Sequence, residues 1–217
     1  EIFRTGYEAV KSVCPKAKVI VHLDDGFDRE LYDWNLGILK AGGAKWDIIG
    51  MSLYTYWAIN EGKRHDADAI VDECMANIVH LNEKFGTPSM LVEVGMDALN
   101  PDEGARLLKR ILRNAQLLED SDGNPLCLGA FYWEPAWIPP MHYDLSKDGA
   151  ESVLAYNQKC WNEHGSGWAT FNARGYDKEV KSAVNGGTWD NQAFFDFDGK
   201  VLDSINVWNY VRTGSKG

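Results

Sequence analysis

Apolar residues fall into two rhythms along this chain, short unbroken runs and longer stretches at helical spacing. Ile2, Phe3, Ala9, Val10 and Val13 recur at near-helical intervals until Pro15, which predicts a helix over Ile2 to Val13. Val19, Ile20 and Val21 form the first unbroken run, a buried strand over Lys18 to Leu23 that ends in His22, Asp24 and Asp25. Asp28 is placed to cap a helix over Arg29 to Lys40, with Leu31, Trp34, Leu36, Ile38 and Leu39 on its apolar face and Gly42-Gly43 closing it. A second strand is predicted at Ile48 to Tyr54, leading to Tyr56 and Trp57, then a polar loop at Ile59 to His65. Asp66 to Phe85 again has helical spacing, through Ala69, Ile70, Cys74, Ile78, Val79 and Leu81.

Met90, Leu91 and Val92 make the third buried strand, and it ends in a single carboxylate, Glu93. Asn100-Pro101-Asp102 starts a helix that runs through Ala105 to Leu118, and Asp120 to Asn124 is a turn. The fourth strand, Leu126 to Trp133, ends in Tyr132, Trp133 and Glu134. Beyond Trp137 the pattern turns irregular and aromatic until a short strand and turn at Phe194 to Lys200. A terminal helix is predicted at Leu202 to Arg212, with Ile205, Val207, Trp208 and Val211 inward.

Four alternations of helix and strand predict an α/β protein with a parallel sheet. No strand-helix junction carries GxGxxG or GxxxxGK[ST], which argues against a doubly wound nucleotide-binding sheet. His, Asp, Tyr, Glu and Trp at the carboxyl ends of parallel strands suit a (β/α)8 TIM barrel, whose active site is built from the loops after its strands. A barrel takes about 250 residues, so residues 1–217 are read as the last four β/α units of one catalytic domain, with a long irregular loop region at 138–200. The missing N-terminal half of the barrel is then an expected partner upstream of Glu1.

Bulk composition narrows the function. The net charge of −10 disfavours nucleic acid, since a chain with no basic excess gains little from counterion release. Nine Trp within 12% aromatic content suit stacking on sugar rings, or else a Trp-rich core. Cys14, Cys74, Cys127 and Cys160 lack CxxC spacing, so neither a zinc site nor a thioredoxin-like motif is indicated; two disulfides are possible but not required. No run of about 18 apolar residues is present to span a membrane.

Several collinear stretches together resemble glycoside hydrolase family 53, the arabinogalactan endo-β-1,4-galactosidases. They are Val21-His22-Leu23-Asp24-Asp25-Gly26-Phe27-Asp28, Ile49 to Tyr54, Leu91-Val92-Glu93-Val94, Phe131-Tyr132-Trp133-Glu134-Pro135-Ala136-Trp137, Gly165 to Thr170 and Asp190 to Gly199. Tyr-Trp-Glu-Pro-Ala-Trp and Asp-Asn-Gln-Ala are the specific ones. The resemblance implies a (β/α)8 barrel hydrolysing β-1,4-galactan or arabinogalactan within the chain, with Glu93 as nucleophile. It implies an acid/base Glu after an Asn upstream of Glu1; Asn82-Glu83 and Asn162-Glu163 do not follow strands and do not fit. No cofactor is implied for catalysis. A structural calcium in the long loops is expected, with the alternating polar run His142, Asp144, Ser146 and Asp148 as candidate ligands, or else as ordinary loop residues. Because galactan is too large to enter a cell, a secreted, periplasmic or cell-surface location is expected.

A retaining glycosidase needs two carboxyl groups roughly 5 to 5.5 Å apart, one ionised and one protonated. Tyr54 is positioned to hydrogen-bond Glu93 and Trp133 to floor the sugar subsite, with core packing the alternative for both; Trp137 is a further stacking candidate. His22 and Asp24 suit sugar hydroxyls or buried structural roles, and Glu134 is the rival nucleophile. Two other functions compete: a non-catalytic, degenerate carbohydrate-binding protein, and another retaining endo-glycanase of the same clan.

Overall fold

The structure, a computed structural model, describes residues 1–60, 62–96, 101–133, 135, 148–149, 152, 155, 194–195 and 200–213. The elements are α1 (Ile2–Val13), β1 (Ile20–Leu23), α2 (Arg29–Ala41), β2 (Ile48–Leu53), α3 (Thr55–Asn60), α4 (Ala67–Phe85), β3 (Ser89–Val94), α5 (Pro101–Leu117), β4 (Cys127–Tyr132) and, after a 3-10 turn at Asp203–Asn206, α6 (Val207–Thr213). The strands form one sheet in the order β1-β2-β3-β4, every pair parallel, with one helix between β1 and β2 and between β3 and β4 and two, α3 and α4, between β2 and β3. Strands added one after another in sequence order are what successive β/α units of a barrel provide.

The chain falls into two compact units. The first comprises Glu1–Gly95, Arg106–Tyr132 and Val207–Gly217, and contains the sheet. Its core lies on one face of that sheet, where Val21, Ile49, Met51, Leu53 and Leu91 are buried, as are Ile70, Val71, Cys74, Ile78 and Leu81 of α4. Period-two alternation puts Ile49, Met51 and Leu53 on that side and leaves Gly50 and Ser52 for the other. The second unit comprises Met96–Ala105 and Trp133–Asn206. Among its described residues Phe194 is buried, and Phe195 and Val201 form an isolated antiparallel bridge.

Local chemistry fixes the helix ends. Asp28 accepts the Leu31 N–H and Asp66 accepts those of Asp68 and Ala69, two side-chain N-caps, while Gly86 takes the left-handed conformation that closes α4. Between helices, Arg106 grips Asp68 with two 2.9 Å bonds and Arg110 reaches Asp72 at 2.7 Å. Asp33 of α2 meets His80 and Lys84 of α4, each at 2.8 Å.

Several expectations are corrected. Thr55–Asn60 is a short helix that takes in Ile59 and Asn60, the first two residues of the predicted polar loop, because Thr55 and Ala58 find burial there. On α2 the buried pair is Tyr32 and Leu36, one turn apart, whereas Trp34 is 66% exposed and Ile38 is also exposed. The hydroxyl of Tyr32 donates to the Leu23 carbonyl at 2.7 Å, which lets an amphipathic ring take the inner position. No residue of α1 is buried despite its apolar spacing, and Ile205 is exposed beside a buried Val207. Cys14, Cys74 and Cys127 are free thiols, and Cys160 lies outside the described residues.

Candidate active site

Glu93 owes its orientation to an irregularity in β3. Met51 pairs with Leu91 but Ser52 pairs with Glu93, and on the other side Leu91 pairs with Ala130 but Val94 with Tyr132, so β3 holds one residue more than either neighbour in this stretch. Simple alternation from the buried Leu91 would return Glu93 to the apolar core. The extra residue instead brings it to the face that carries Ser52, the re-aiming that a bulge provides.

On that face Glu93 meets residues of two other strand ends. Tyr54, one residue past β2, donates its hydroxyl to Glu93 Oε2 at 3.1 Å. His22 of β1 places Nδ1 4.0 Å from Glu93 Oε1, and its Nε2 lies 2.8 Å from Ser52 Oγ. The side chains of Glu93 and His22 are 24% and 38% exposed, so the cluster is open to a ligand without being fully hydrated. Burial, then the charge of Glu93 and the hydrogen bond to it, push the Tyr54 phenol well above its ordinary value. Tyr54 is therefore a permanent donor to the carboxylate. An oriented carboxylate with one oxygen bound by a phenol and the other facing an imidazole suits attack on an electrophilic carbon.

The β1–α2 turn brings more acid to the same end of the sheet. Asp24 is exposed and accepts the Asp25 N–H at 2.8 Å. Asp25 has φ 46°, a left-handed conformation that Asp tolerates better than most residues, and meets Lys63 at 2.6 Å. The following Gly26 donates to the Ser52 carbonyl, and a Cβ there would stand 3.0 Å from that oxygen.

The structure thus brings His22, Tyr54 and Glu93 together. Trp133 follows β4 directly and is 42% exposed, within the second unit. Trp137, the rival Glu134, and the calcium candidates His142, Asp144 and Ser146 lie outside the described residues; Asp148 is exposed. No group of three His, Cys, Asp or Glu side chains suited to a metal occurs among the described residues. Sequence reasoning missed Ser52 and Gly50. The signal was present, since both interrupt β2 at a two-residue interval between Ile49, Met51 and Leu53.

The family model for glycosyl hydrolase family 53 matches residues 1–208. The chain belongs to glycosyl hydrolase family 53. The endo-β-1,4-galactanase of Bacillus subtilis strain 168 is 27% identical over 232 residues, covering 99% of this chain and 50% of that protein. The arabinogalactan endo-β-1,4-galactanase A of Aspergillus niger is 24% identical over 137 residues, covering 56% of this chain and 37% of that protein. Among solved structures, the family 53 catalytic domain of Ignisphaera aggregans superposes with a TM-score of 0.60 at 22% identity, covering 94% of this chain and 49% of the other. The fold is that of family 53, a (β/α)8 barrel, of which the four parallel strands here form part. The chain spans about half the length of the Bacillus relative.

Proposed function

We propose that the protein to which this chain belongs is an endo-acting, retaining β-1,4-galactanase acting on galactan or type I arabinogalactan, with Glu93 as its nucleophile. The observation that carries this reading is the placement of Glu93 at the end of a parallel strand, bonded to Tyr54 and facing His22. In this mechanism Glu93 attacks the anomeric carbon as a second carboxylic acid, roughly 5 to 5.5 Å away, protonates the departing glycosidic oxygen. The glycosyl ester on Glu93 is then hydrolysed by water, which the second group deprotonates, and the configuration is retained. We assign that second group, a Glu after an Asn, to the barrel half outside this chain, in keeping with relatives about twice as long.

Tyr54 holds the Glu93 oxygen that is not attacking, Trp133 and Trp137 offer ring faces to sugars, and Asp24 accepts sugar hydroxyls. Family 53 relatives named as galactanases support the substrate class. Among the described residues, no helix is long and apolar enough to cross a membrane. A polymeric substrate favours a secreted, periplasmic or cell-surface enzyme.

Hydrolysis of β-1,4-galactan by the full-length protein and its Glu93→Gln variant tests the assignment. The expected result is oligosaccharide release by the parent and a loss of about a thousandfold or more in the variant. A variant that keeps its rate makes Glu93 structural and moves Glu134 to the front. A parent inert on galactan but active on mannan or xylan replaces the substrate. A structural calcium held by His142, Asp144, Ser146 and Asp148 is part of the same proposal; chelation should lower the unfolding temperature and added calcium restore it. An unchanged unfolding temperature removes the metal.

A further inference from the structure

Ser52 is 3% exposed, so its hydroxyl is screened from bulk solvent and its one proton calls for an acceptor within the protein. Among the described residues its hydrogen-bond partner is His22 Nε2, at 2.8 Å. Two arrangements of one proton set compete. If Nε2 carries the hydrogen and donates, Ser52 Oγ accepts, the serine proton has no acceptor among the described residues, and the bare lone pair of Nδ1 faces Glu93 Oε1. If Ser52 donates, Nε2 accepts, the imidazole hydrogen sits on Nδ1, and the positive end of the ring dipole faces the carboxylate at 4.0 Å. The second arrangement satisfies the buried hydroxyl and replaces a repulsion by an attraction.

We propose that Ser52 is a positioning residue that holds His22 as the neutral Nδ1–H tautomer, directed at Glu93. The separation of 4.0 Å exceeds a hydrogen bond, so the ring acts on Glu93 through its dipole. Gly50 completes the device. A Cβ there would come within 2.7 Å of Ile20 Cγ2, 3.1 Å of Val92 Cγ2 and 3.3 Å of His22 Cβ, so the bare backbone lets these three side chains, His22 among them, pack over β2. With Tyr54 on Oε2 and His22 opposite Oε1, the two carboxylate oxygens become inequivalent before any substrate arrives. The consequence for rate rests on the galactanase reading; the tautomer does not.

Nitrogen-15 NMR of the imidazoles in the full-length protein at neutral pH, with His22 assigned by its loss in His22→Asn, reads the proton directly. The expected spectrum shows Nδ1 protonated and Nε2 bare in the parent and in Ser52→Thr. In Ser52→Ala the hydrogen moves to Nε2 or divides between the nitrogens, while a cooperative unfolding transition shows that the variant is folded. On galactan, Ser52→Ala is expected to lose about five- to tenfold in kcat/KM, the scale of one neutral hydrogen bond, with Ser52→Thr retaining most of the rate. A parent protonated on Nε2, or on both nitrogens, overturns the proposal, as does a Ser52→Ala variant with the parent's tautomer. A parent with the expected tautomer but no activity on galactan leaves Ser52 as the positioning residue and overturns the substrate assignment instead.

Discussion

Leu91 and Val92 are neighbours in β3 and face opposite sides of the sheet. Leu91 is fully buried with Ile49, Met51 and Leu53, in the dry core that also holds the aliphatic residues of α4. Val92 is half-buried on the side of Gly50, His22 and Ser52, where apolar packing gives way to hydroxyl, imidazole and carboxylate. The same strands therefore serve two demands. One face contributes most of the hydrophobic stabilisation, and the other holds polar groups that would be costly to bury unpaired. Polar groups described on the open face are accordingly matched in pairs, Tyr54 with Glu93 and Ser52 with His22.

The sharpest test of this division is the adjacent pair. Leu91→Ala should cost about 2–5 kcal/mol in denaturant unfolding, because it opens a cavity in a closed core. Val92→Ala should cost about 1 kcal/mol, since its surroundings already admit solvent. Equal losses would mean that the two faces are equally packed. Next comes Gly50→Ala, where the added methyl would stand 2.7 Å from Ile20 Cγ2 and must displace that side chain, with Val92 and His22 pressed at 3.1 and 3.3 Å. A loss of about 1–3 kcal/mol is expected, together with reduced activity as His22 moves. An Ala variant of parental stability would show that the open face is looser than its contacts indicate. Tyr54→Phe should change stability as little as Val92→Ala, by about 1 kcal/mol, because Glu93 is partly open to water that can replace the lost donor. Its activity should nevertheless fall at least about tenfold, and a parental kcat on galactan would remove Tyr54 from the site.

Much of this arrangement was legible in the chain. Short apolar runs bounded by helical spacing marked all four strands, and Asp28, Asp66 and Pro101 stand at or beside the helix starts. Since parallel strands in sequence order align their carboxyl ends, His22, Tyr54 and Glu93 were bound to gather at one end of the sheet. Side-chain choice within an element was less legible. Hydrophobicity alone favoured Trp34 and Ile38 on α2, but the interior selected Tyr32 because its hydroxyl finds the Leu23 carbonyl. Ser52 was overlooked for the opposite reason: a small hydroxyl inside an apolar strand carries meaning only when its neighbour across the sheet is known.

The sequence by itself determined the alternating β/α architecture, the polar strand ends and the membership in family 53, because periodicity, caps and motifs are local properties written one residue after another. Tertiary structure decided which face Glu93 occupies. Reading alternation along β3 alone returns that carboxylate to the side of Leu91; pairing with β2 and β4 shows the extra residue that turns it toward Ser52 and His22. Register is a relation between strands, and a shift of one residue exchanges the faces of every side chain beyond it.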